Sequence, residues 1–101
     1  MAINQQDLAL IAAPITKEHY PKTFDLWGSE WIDRINKLSV QAALLVDRRV
    51  DGDNVAYVGL SEDKSKAKAK PVVFVDTEGF KRYYISERHV KQSKLPKPVQ
   101  V

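Results

Sequence analysis

The stretch VQAALLVDRRV at residues 40–50, with DGDN at 51–54 and VAYVGL at 55–60 behind it, decides how this chain folds. It admits two readings. Upstream, Phe24, Trp27, Trp31, Ile35 and Leu38 recur at spacings of 3, 4, 4 and 3, which is one apolar stripe along a helix. Ala42, Leu45 and Arg49 continue the same steps, and that reading extends one helix to residue 49. Against it, DGDN carries turn residues and VAYVGL is β-rich, so two apolar runs flank a turn and make a hairpin. The hairpin is the expectation adopted here, because it gives both runs a partner. It implies an α+β fold in which two N-terminal helices pack on an antiparallel sheet of about four strands. The alternative is one long helix with a three-stranded sheet.

Around this stretch the punctuation is clearer. Asn4 can cap a short helix over residues 5–13, with Asp7 near its positive end and Leu8, Ile11 and Ala12 on its apolar face. Pro14 ends it, and Pro21 reads as a second breaker. The next helix starts near Thr23, or at Ser29 as its cap, since Gly28 is a weak point. Both tryptophans lie on the stripe and read as core anchors.

A second hairpin follows. PVVFVD is β-branched and aromatic, DTEG is a turn with Gly79 suited to a left-handed position, and FKRYYI returns. A three-residue loop sets Asp76 opposite Phe80. One face then holds Val73, Val75, Lys81, Tyr83 and Ile85, and this is the better core face. The other holds Val72, Phe74, Asp76, Phe80, Arg82 and Tyr84. Ser86 can cap a last short helix, ERHVKQ. The expected organisation is a single domain over residues 1–94 and a flexible, proline-containing tail over 95–101.

The chain has 101 residues, 44% apolar and 29% charged, ordinary values for one folded domain. It has no cysteine, so neither a disulfide framework nor thiolate chemistry is expected, which favours a cytoplasmic setting. The N-terminus lacks a basic leader region, and no run is apolar enough to span a bilayer, so no membrane role is expected. Residues 1–63 carry 6 basic and 10 acidic side chains, a net of −4, whereas residues 64–101 carry 10 basic and 3 acidic ones, a net of +7. Such a split can polarise the surface and steer an acidic partner.

No catalytic signature emerges. His19 and His89 are far apart and have no metal-ligand spacing, and DGDN lacks the alternating ligands of a calcium loop. No cofactor, metal or catalytic residue is assigned. An enzyme with a site assembled only in space stays as a distant alternative. What remains is a surface. Lys64, Lys66, Lys68 and Lys70 in KSKAKAK supply mobile charges from a flexible loop, and Phe74, Phe80, Arg82 and Tyr84 alternate aromatic and cationic groups on one strand face. The reading is a small non-catalytic interaction or regulatory protein that binds another protein or its own copies. A nucleic-acid binder using the basic C-terminal third is the alternative.

Overall fold

The computed structural model describes residues 3–101. Helix α1 spans Gln5–Ile11, α2 Pro21–Trp27 and α3 Ser29–Arg49. Strands β1 (Val55–Leu60), β2 (Val72–Thr77) and β3 (Lys81–Ser86) follow, then α4 (Glu87–Lys91) and β4 (Val99–Gln100). The four strands form one antiparallel sheet in the order β1-β2-β3-β4. This is an α+β fold with helices packed on an antiparallel sheet.

Residues 40–49 are helical, so the hairpin expected over 40–60 does not form. The apolar stripe prevails. Ile35, Leu38, Ala42, Leu45 and Val46 are all buried along one side of α3. Gln, Ala and Leu are strong helix formers, and Ala42 and Ala43 let the helix axis approach the sheet closely. DGDN therefore ends a helix instead of linking two strands, with Gly52 taking a φ of +75° that L-residues resist. VAYVGL finds its partner downstream, as β1 pairs with β2. The fourth strand comes from the tail: Lys81 faces Gln100 and Arg82 faces Val99. The Val101 N–H then donates to the Phe80 carbonyl at 2.8 Å. Residues 95–101, read as a flexible tail, thus carry β4.

Local signals account for the helix ends. The Asn4 side chain accepts the Asp7 N–H at 2.8 Å and caps α1. Pro21 opens α2 instead of breaking the chain, because its ring suits the first helical turn, where no N–H partner is needed. Gly28, at φ +81°, separates α2 from α3 and stands as N-cap in place of Ser29. Trp27 is buried and Trp31 half-buried, their ring centroids 6.0 Å apart. The Arg34 guanidinium lies 4.1 Å over the Trp31 ring and also forms a bidentate pair with Glu87, so Trp31 joins core to surface.

The β2–β3 hairpin keeps the expected faces but not the expected register. Asp76 faces Arg82, not Phe80. The slip is two residues, and a slip of two leaves every side chain on its own face. Val73, Val75, Tyr83 and Ile85 accordingly lie in the core. The left-handed position belongs to Phe80, at φ +62°, and not to Gly79. Gly79 is instead required for close approach. Its N–H donates to the Asp53 carboxylate at 2.8 Å, and a Cβ there would meet Asp53 Oδ2 at 2.6 Å. The Thr77 hydroxyl, and then the N–H groups of Gly79 and Asn54, hold the Asp53 carboxyl below the usual carboxylate range. That carboxylate ties the hairpin turn to the end of α3.

Candidate interaction surface

Helix α3 packs on β1, β2 and β3, and α1 lies against β1. Among the described residues, no helix packs on the opposite face of the sheet. Register pairs place its residues in two rows. Gly59, Phe74 and Tyr84 stand side by side across β1, β2 and β3, and Tyr57, Asp76, Arg82 and Val99 form the next row across all four strands. Phe74 and Tyr57 meet diagonally at a centroid distance of 5.9 Å. Gly59 makes room for this: a Cβ there would lie 2.7 Å from the Phe74 ring. A glycine on one strand covered by an aromatic on the next restores the packing that the missing side chain forgoes.

Arg82 organises the centre. Its guanidinium stacks 4.2 Å over the Phe74 ring and grips Asp76 through two hydrogen bonds of 2.7 and 2.9 Å. The hydrogen bonds with Asp76, and then with Tyr84, raise its pKa further above the arginine value. The cation is therefore permanent, and its charge is neutralised within the face. Lys64 Nζ sits 4.8 Å above the Tyr84 ring. A depression beside these groups is also lined by Leu60, Ser61, Glu62 and Asp63, so carboxylates border it.

The structure thus brings together Lys64, Phe74, Arg82 and Tyr84 of the sequence-derived surface. Phe80 is not with them. It sits in the β2–β3 turn, 70% exposed, donating its N–H to the Thr77 carbonyl at 3.1 Å. The lysine segment is no unstructured loop. Lys66 and Lys70 exchange two backbone hydrogen bonds of 2.8 Å, with Lys68 at the tip in a left-handed conformation. Ser65 Oγ anchors this small hairpin by accepting the Val72 N–H at 2.8 Å and donating to the Val72 carbonyl at 3.0 Å. Lys66, Lys68 and Lys70 point their charges from a hydrogen-bonded scaffold at the sheet's margin.

Sequence reasoning missed Tyr57, which is 50% exposed on β1, at the edge of the face. The alternation in VAYVGL was its signal, hidden while that run was paired with residues 40–50. Beside Tyr57 opens a cleft of about 180 Å³ between β1 and the segment joining α1 to α2, lined by Ile15, Tyr20, Thr23, Leu60 and Phe74. The Asn36 side chain holds that segment in place, accepting the Ile15 N–H at 2.8 Å and donating to the Ile15 carbonyl at 3.0 Å. Among the described residues, no helix is long and apolar enough to cross a membrane. Compared with known protein families, with curated proteins and with solved structures, the chain shows no match.

Proposed function

We propose that this chain is a non-catalytic binding module that engages another protein through the helix-free face of its sheet. One observation carries the reading: Tyr57, Phe74, Arg82 and Tyr84 are gathered on that face with Arg82 already neutralised by Asp76. Tyrosine and arginine are the side chains that dominate binding energy at protein interfaces, where large π surfaces lose water at little conformational cost. A polyphosphate backbone would find Arg82 already paired with Asp76, and would also meet Glu62 and Asp63. A protein surface with an apolar centre and charges of both signs at its rim fits better, since rim charges set register and partner choice.

The test compares the wild type with a Tyr57→Ser, Tyr84→Ser double variant as baits in a native extract. The wild type should retain at least one protein that the variant loses, and that complex, once purified, should weaken only modestly between low and physiological salt. Equal recovery on both baits contradicts the reading. Tight binding to random RNA or DNA that collapses with salt favours the nucleic-acid alternative instead.

A further inference from the structure

Next to the depression that Arg82 lines, and sharing Asp63 and Tyr84 with it, lies an open groove. Lys64 and Lys70 reach it from the segment before β2, His89 from α4, and Val72 and Tyr84 line it from the strands between. Asp63 is the one carboxylate among its lining residues. Neither lysine is ion-paired, because the salt bridges among the described residues are Arg34–Glu87 and Arg82–Asp76. His89 is held in a fixed state. Its Nδ1 accepts the Ser86 N–H at 3.0 Å while Ser86 Oγ receives the His89 N–H, a reciprocal cap at the start of α4. With Nδ1 used as acceptor, the neutral ring carries its proton on Nε2.

The charges that act on this ring are cationic. Burial first, and then the charges of Lys70, Lys94 and Arg88, hold the His89 pKa below the ordinary imidazole value. Lys70 comes from the lysine hairpin, Lys94 from the chain after α4 and Arg88 from α4 itself. Lys64 and Asp63, of opposite charge, complete the titratable groups of the groove together with Tyr84. Cations that outnumber the single carboxylate near them repel one another, and a bound dianion relieves that repulsion.

We infer that this groove is a binding site for a compact, multiply charged oxyanion of the sulfate or phosphate monoester class, held between Lys64, Lys70 and His89. The inference does not rest on the protein-binding reading of the sheet face, and the groove shares Lys64 and Tyr84 with that face. The ligand is either a free ion or a phosphorylated side chain, and the same chemistry recognises both. Protonation at Nδ1, which gives up the bond from the Ser86 N–H, makes His89 a third cation, so affinity rises as pH falls below the ordinary imidazole value.

The test is a calorimetric or NMR titration of the full chain at constant ionic strength. Sulfate serves first, because its charge does not change between about pH 5 and pH 8, where histidine titrates. Saturable one-to-one binding is expected, weakened about tenfold by Lys70→Ala, a loss of about 1.4 kcal/mol. Lys97→Ala, in the tail, should leave it unchanged. The affinity should rise severalfold towards the acid end, and His89→Gln should remove that rise. Glutamine at this position can still accept the Ser86 N–H, so the cap survives. A phosphoserine peptide and inorganic phosphate then separate the two sources: binding of the peptide alone assigns a modified side chain, and comparable binding of both assigns the free ion. Non-saturating binding, or equal loss from Lys70→Ala and Lys97→Ala, overturns the site. A pH-independent affinity in the wild type overturns the part given to His89.

Discussion

Gly59 and Phe80 are two residues whose backbone positions say most about the face between them. A Gly59→Ala methyl would push on the Phe74 ring, which can swing because it is a side chain and not backbone. The expected stability cost is therefore small, under about 1 kcal/mol, yet the Phe74–Arg82 stack should open and partner affinity should drop. Urea unfolding and a binding titration on the same variant separate the two effects. Phe80 pays a backbone penalty at φ +62° with its ring largely in water. Phe80→Gly should stabilise the fold by roughly 0.5–1 kcal/mol, since relief of left-handed strain outweighs the added freedom of the unfolded chain. A lower urea midpoint in this variant would show that the ring makes contacts worth more than the strain. Both features were out of reach from sequence. DTEGF puts a glycine where a left-handed residue is wanted, yet Gly79 is held by the Asp53 carboxylate from another element and Phe80 takes the left-handed conformation.

Helix α3 is the element on which the fold turns, and its second half shows what was legible. Spacing alone carried the stripe from Trp27 through Leu38 to Leu45, and burial follows it closely. The strand reading failed because the turn residues at 51–54 signal a chain reversal without saying which elements they join. The hairpin faces were legible because side-chain parity survives a two-residue slip, whereas the register itself depended on the turn. Leu44→Pro tests the helix directly. Leu44 lies on the exposed side of α3, so the damage comes from the lost backbone bond and ring clash, about 3 kcal/mol or more by denaturant unfolding. A loss below about 1 kcal/mol would fit a strand edge better than a helix interior. Helix α4 gives a pH test. The His89 pKa is lowered in the fold, so as pH falls from about 6.5 the unfolded chain takes up the proton before the folded one does. Stability should fall as pH falls through that window, and His89→Gln should flatten the fall. An unchanged pH profile in His89→Gln would remove His89 as its cause.

The molecule as a whole is a two-layer arrangement in which α3 packs its apolar stripe on one side of the sheet. The other side keeps its aromatics half-open, and the charges around it are mixed beside Arg82 and mostly positive in the adjoining groove. The sequence showed the charge asymmetry between residues 1–63 and 64–101, and it named Phe74, Arg82 and Tyr84 together. It could not show Tyr57 beside them, or Asp76 neutralising Arg82, because both follow from pairings between strands. Neutralisation has a consequence of its own. Asp76→Asn should leave Arg82 unpaired and raise affinity for random RNA at low salt, while weakening the protein complex; an unaltered response to RNA would show that Arg82 is not available to solvent even when freed. The most direct measurement of the central claim sets two pairs of substitutions side by side in a binding titration with the captured partner. Tyr57→Ala and Tyr84→Ala remove π surface from the helix-free face, whereas Leu10→Ala and Leu26→Ala trim exposed apolar side chains elsewhere, on α1 and α2. Affinity should fall about tenfold or more for each tyrosine variant and stay within about twofold for each leucine variant. The opposite order, or equal losses from all four, would contradict the assignment of the sheet face as the binding surface.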